Sequence, residues 1–141
     1  MSFHNYNNGA RNHQPPPFDY RPLLDFDNLI GNLDKADDFA RRLSNTSSSQ
    51  LRKYYDFLVR LSKKAEKGKI AEVKLELKLL KARLHYALNR KKIDLELKVY
   101  LEKAINQLVA YDDEKFKKYY TNRFLKVMEA IVGYHKQYHK Q

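Results

Sequence analysis

From Asp34 to Gln141 the chain contains no proline and only two glycines, Gly68 and Gly133. Proline removes a backbone donor and clashes with the preceding turn of a helix, and glycine loses the most backbone freedom on becoming helical. A stretch without the first and nearly without the second, with apolar residues recurring every three or four positions, predicts helix nearly throughout and leaves strands no obvious place. The expected fold class is all-α: a compact bundle of about five helices over 34–141, preceded by a flexible arm over 1–33. At 141 residues the chain suits one domain with one core.

The apolar spacing divides the body. A short first helix covers about Asp34 to Leu43, with Phe39, Ala40 and Leu43 on one side. The second starts at Ser47, which has capping-box spacing with Gln50, buries Leu51, Tyr54, Tyr55, Leu58, Leu61 and Ala65, and ends at Gly68. The third, Ile70 to Asn89, carries two apolar stripes: Val73, Leu77, Leu80, Leu84 and Leu88, then Leu75, Leu79, Ala82 and Tyr86. Such width predicts a central helix covered on several sides. The fourth runs from about Lys92 to Ala110. Asp112, Asp113 and Glu114 suit the start of a long fifth helix with Phe116, Tyr120, Phe124, Val127, Ile131 and Tyr134 inward.

The 1–33 segment differs in composition. Asn, His and Gly dominate its beginning, Pro15, Pro16 and Pro17 follow, and a stretch from Asp19 to Asp27 is acidic, which together read as a mobile arm. Its Phe18, Tyr20, Leu23, Leu24, Phe26 and Leu29 are nonetheless suited to docking on the body or on a neighbouring subunit.

Net charge constrains the partner. The chain carries 28 Lys and Arg against 17 Asp and Glu, a formal charge of +11, which favours polyanions such as nucleic acid or an anionic membrane face. The excess sits on three segments, 49–67, 71–91 and 112–140, with net charges of +4, +4 and +3. Lys53, Arg60, Lys64 and Lys67 share one helical row with Phe57 between them, and Lys74, Lys78, Lys81 and His85 form a second. Like charges four residues apart cost an isolated helix about 0.2–0.5 kcal/mol per pair, a repulsion that a bound polyanion relieves. At helical spacing Tyr54, Tyr86, Tyr120 and Tyr134 read as core residues with the hydroxyl at the rim.

Catalytic constellations are missing from the sequence. Glycines are too few for a phosphate-cradling loop, and cysteine is absent, which excludes disulfides and thiolate metal sites. His135 and His139 have a spacing that can share a metal, but with no further ligand on that face they are expected to be solvated near the chain end. Asp37 with Asp38, and Asp112 with Asp113, fit helix-start capping better than acid-base catalysis. The Arg-to-His spacing of about five residues common in small helical ribonucleases does not occur. We expect a non-enzyme that needs no cofactor or metal. With neither a signal core nor an apolar run of about 18 residues, it should be cytoplasmic, with no membrane partner.

Three segments together resemble a known family: Thr46-Ser47-Ser48-Ser49-Gln50-Leu51-Arg52-Lys53-Tyr54-Tyr55, Leu79-Leu80-Lys81-Ala82-Arg83-Leu84-His85-Tyr86-Ala87-Leu88-Asn89-Arg90, and Phe124-Leu125-Lys126-Val127-Met128-Glu129-Ala130-Ile131-Val132-Gly133-Tyr134. Their order and spacing are similar to those of the small subunit of type III-A CRISPR effector complexes, the Csm complexes. Asn89 stands where the family usually has Gly. The resemblance implies a non-catalytic helical subunit that stacks in several copies, touches other Csm subunits and contacts guide RNA and target RNA in antiviral defence. It further implies phosphate contacts for Arg52, Lys53, Arg90, Arg123 and Lys126, with Lys81 and Arg83 matching less clearly. The basic rows add Arg60, Lys64 and Lys78 to this RNA-binding set. Arg90 is equally suited to closing the C-terminal end of its helix, and Glu129 to bracing one of the arginines. The alternatives are a DNA-binding or nucleoid-type helical protein, and a scaffold or antitoxin-like bundle whose basic face meets an acidic protein.

Overall fold

A computed structural model describes residues 16–139, and within them the fold is all-α with no strand. In chain order the elements are α1 (Arg21–Leu24), α2 (Leu29–Arg41), α3 (Ser48–Glu66), α4 (Ile70–Asn89), α5 (Leu95–Val109), α6 (Asp113–Tyr119), a π-helical segment (Tyr120–Phe124) and α7 (Leu125–Tyr138). α2 and α3 both pack against α7, α3 also packs beside α4, and α4 beside α5. One hydrophobic core joins them, with Leu58, Leu77, Tyr100, Phe116, Phe124 and Met128 fully buried.

The 16–33 part of the expected arm is folded onto this body, a departure from the flexible-arm reading; residues 1–15 lie outside the described residues. Phe18, Leu23 and Phe26 are buried, and Phe18 meets Phe39 at a ring separation of 5.1 Å. Polar clamps fix the backbone between them. The buried Asn32 amide donates to the carbonyls of Pro22 and Asp25, Gln107 Nε2 donates to Leu24 O at 2.8 Å, and Arg42 donates to Pro16 O at 2.8 Å. The aromatic residues noticed in the sequence thus supply apolar burial that outweighs the arm's polar composition.

Helix boundaries follow local chemistry. α2 begins five residues earlier than expected because the Asn28 side chain accepts from Gly31 N at 3.0 Å. A Cβ at Gly31 would stand 2.6 Å from Asn28 Nδ2, so glycine permits the cap to close. Asp37 and Asp38 consequently lie inside α2 rather than at its start, and Asp37 accepts from the Tyr138 hydroxyl. Ser47 Oγ caps α3 by accepting from Gln50 N at 3.1 Å, but Gln50 Oε1 is buried without a partner, so only half of the expected capping box forms. α3 ends in a Schellman turn: Gly68, at φ +81°, donates to Ala65 O, and Lys69 donates to Lys64 O.

α4 closes in the same way, with Lys91 and Lys92 donating to Leu88 O and Ala87 O, yet here the left-handed position is Lys91 at φ 59°. α5 starts at Leu95 rather than near Lys92, because the left-handed Lys91 commits Lys92 to closing α4 and Asp94 stands extended before the helix; the Asp94 carboxylate serves the α2–α3 turn. It accepts from Asn45 N at 3.0 Å and from Thr46 Oγ1 at 2.7 Å, while Thr46 Oγ1 accepts from Asp94 N at 2.9 Å. The long fifth helix is continuous but widens into the π segment, whose Tyr120 is buried and donates to Leu58 O at 2.6 Å. Asp112 caps its start as expected, accepting from Lys115 N at 2.8 Å.

Two expectations about burial are corrected. His135 is buried rather than solvated: its Nε2 lies 3.1 Å from Leu43 O and 2.8 Å from Thr46 O, and His139 Nε2 lies 3.0 Å from Ala40 O. Two carbonyl partners require a proton on His135 Nε2, so both rings clip the end of α7 to carbonyls of the last turn of α2 and of the α2–α3 connection. The second stripe of α4 is not covered. Leu75, Leu79 and Tyr86 are 59%, 45% and 62% exposed, and Ala82 is exposed beside them. At 100° per residue this ridge points opposite the buried Val73, Leu77, Leu80 and Leu84.

Candidate nucleic-acid interface

The short Lys67–Lys69 connection makes α3 and α4 neighbours and leaves a groove of about 460 Å³ between their outer faces. From α3 come Lys53, Tyr54, Phe57 and Arg60; from α4 come Leu80, Arg83, Tyr86 and Arg90. Lys92 closes one end, because the left-handed Lys91 turns the chain back over the C-terminus of α4. The lining contains five cations and no carboxylate.

Helical spacing places these side chains. Phe57 and Arg60 are three apart on α3, and Tyr86 and Arg90 are four apart on α4, so each aromatic shares a face with its arginine. Arg60 and Arg83 approach the Phe57 ring from the two helices, their guanidinium carbons 5.9 and 5.8 Å from its centre. Arg90 lies 5.6 Å from the Tyr86 ring centre and donates to its hydroxyl at 2.9 Å; Lys53 Nζ is 5.4 Å from the Tyr54 ring. Arg90 therefore joins the groove, whereas the backbone bonds of Lys91 and Lys92 close the helix end. The four ion pairs among the described residues are Arg21–Asp19, Arg41–Asp37, Lys74–Asp113 and Lys98–Glu102. None involves a groove cation, and none involves Glu129, which does not brace an arginine as expected.

Of the ten residues singled out in the sequence, Lys53, Arg60, Arg83 and Arg90 meet in the groove. Lys64 is exposed one turn beyond Arg60 on the same row. Arg52 is exposed on the other flank of α3, in a small cleft with Val132, His135 and Lys136 of α7. Lys78 and Lys126 are exposed on α4 and α7 away from the groove lining, and Arg123 sits in the π segment 6.0 Å from the Tyr119 ring centre. Lys81 is tied up structurally, donating to Asn106 Oδ1 of α5 at 2.7 Å, and Lys74 donates to Tyr111 O at 2.7 Å.

Two features escaped the sequence reading. Apolar spacing places Lys92 at a helix start, whereas the Schellman turn at Lys91 brings it into the groove. The same spacing makes Tyr86 a core residue, whereas it is largely exposed, and its four-residue spacing to Arg90 is the signal that points to the groove. No group of three or more His, Asp or Glu able to hold a metal occurs among the described residues, and no helix there is long and apolar enough to cross a membrane. The groove's chemistry is that of anion contact combined with exposed aromatic faces.

Comparison with curated proteins and with solved structures gives no match. A family model described as Csm2 Type III-A matches residues 28–141, beginning at the Asn28 cap of α2 and spanning every later helix. The chain therefore belongs to the Csm2 Type III-A family, the small subunits of type III-A CRISPR Csm complexes.

Proposed function

We propose that this subunit contacts guide RNA and target RNA through the basic faces of α3 and α4, holding the strands without cleaving them, within a cytoplasmic Csm complex. The observation that carries this reading is the groove, where five cations converge with no carboxylate to neutralise them. Unpaired cations on adjacent helices repel one another, and a phosphate backbone offers the compensating charge. Arg52, Lys64, Lys78, Arg123 and Lys126 extend the positive surface beyond the groove, while Lys81 acts mainly through Asn106.

The exposed ridge of Leu75, Leu79 and Ala82 on α4 supports stacking of copies or seating against another Csm subunit, since a contiguous apolar strip opposite a helix's buried face has no role in folding the monomer. A reconstituted Csm complex separates the two roles. Lys53→Glu with Arg60→Glu should leave the subunit incorporated and reduce retained target RNA, whereas Leu75→Glu with Leu79→Glu should lower incorporation itself. Unchanged RNA retention in the first variant would refute the proposed contact.

A further inference from the structure

We infer that the α3–α4 groove is a nucleobase site, which takes an unpaired base of single-stranded RNA against the Phe57 and Tyr86 rings while the surrounding cations hold the flanking phosphates. This rests on the RNA-contact reading and adds to it a ligand group, the base itself. Phosphate contact alone needs exposed cations; it gives no reason for an aromatic floor. Phe57 is half-buried and Tyr86 is 62% exposed, so both rings present surface to the groove.

The dimensions suit such an occupant. At about 460 Å³ the groove falls in the range of small-ligand sites. The Arg60 and Arg83 guanidinium carbons stand over the Phe57 ring at 5.9 and 5.8 Å from its centre, at the outer limit of cation–π contact. Both side chains are exposed and can swing off the ring face to admit a base. A planar base entering there stacks on Phe57, and the guanidinium planes can stack on the base or turn to its phosphates. Tyr86 stands across the groove on the other helix, and Lys53, Arg90 and Lys92 lie toward one end, where the strand's backbone would pass.

An acidic peptide would also meet the cations, but it would leave the aromatic faces unused. A duplex keeps its bases stacked inside and cannot offer one to the rings. Single-stranded RNA satisfies charge and stacking together.

The test compares the full-length protein with its Phe57→Leu and Tyr86→Leu variants by fluorescence anisotropy, on an oligouridine strand and on an abasic strand of the same length. Leucine keeps apolar volume and charge while removing the ring. Tyr86 is exposed enough for its variant to fold whatever the Phe57 change does to stability. The expected result is about a tenfold loss of affinity for oligouridine in each variant, the lower part of the range for one base stack. Binding to the abasic strand should barely change, with the same salt slope on both. Oligouridine affinity that is unchanged in both variants, beside salt-dependent binding by the parent protein, would overturn the base site and leave the RNA-contact reading intact. Failure of the parent protein to bind either strand would overturn both.

Discussion

Replacing Thr46 with valine should destabilise the fold by roughly 2–4 kcal/mol, because this one hydroxyl closes the link between the α2–α3 and α4–α5 turns. Its Oγ1 donates to Asp94 Oδ2 at 2.7 Å and accepts from Asp94 N at 2.9 Å, and Thr46 is completely buried. Valine has nearly the same shape, so no cavity contributes. Loss of a hydrogen bond to a carboxylate is worth about 1.5–3 kcal/mol, and a buried N–H left without an acceptor costs about 1–3 kcal/mol. Asn45 N and Nδ2 still serve the carboxylate, at 3.0 and 3.2 Å, which places the total below the simple sum. For a chain of this length each kcal/mol lowers the melting temperature by roughly 3–5 °C. Thermal unfolding followed by circular dichroism should therefore fall by about 10 °C. A change of under about 2 °C would refute the argument that these turns are locked by a closed, dry network.

Three other perturbations follow from the same structure. Lys91→Gly should stabilise the protein by about 1 kcal/mol, since Lys91 holds a left-handed backbone at φ 59° that glycine adopts without its Cβ penalty; a denaturant midpoint that falls would contradict this. Tyr100→Phe should be neutral or stabilising by up to about 1 kcal/mol, because the Tyr100 hydroxyl is buried without a partner and its removal ends a desolvation cost; calorimetry would detect the opposite sign. Burial holds the His135 pKa below its ordinary 6.5, so the unfolded chain takes up a proton first as pH falls. The stability this group contributes is complete above 6.5 and is lost as pH drops through 6.5 towards the folded value. Denaturation curves between neutral and mildly acidic pH should show that decline, and His135→Gln should flatten it.

Most of the helical body was legible in the sequence because its signals are local. The Ser47 and Asp112 caps, the Gly68 stop and the Ile70–Asn89 span all depend on residues within a turn or two of each other. The errors arose where distant partners decide. Composition made 16–33 look mobile, but Asn32 within α2, Arg42 at its C-cap and Gln107 of α5 clamp its backbone. His135 looked exposed near the chain end until the α2–α3 connection supplied carbonyls for it. The two apolar stripes of α4 were equally strong as sequence patterns, and packing covered only one of them. Likewise the basic row on α3 identified Lys53 and Arg60, and the family resemblance Arg83 and Arg90, whereas their convergence in one groove depends on how α3 and α4 pack. Lys92 was invisible for a different reason: lysine is an unusual occupant of the left-handed position that redirects the chain.

The most direct test of the RNA-contact account is a salt series of binding by the purified protein to single-stranded RNA and to double-stranded DNA, with Arg60→Gln and Arg83→Gln alongside. Each phosphate contact contributes about −0.7 to the slope of log affinity against log salt for a single strand. The account predicts RNA binding with little sequence preference, a slope made shallower by about 0.7 in each variant, and unchanged melting temperatures. Sequence-specific binding to double-stranded DNA, or RNA binding whose slope neither variant alters, would contradict it.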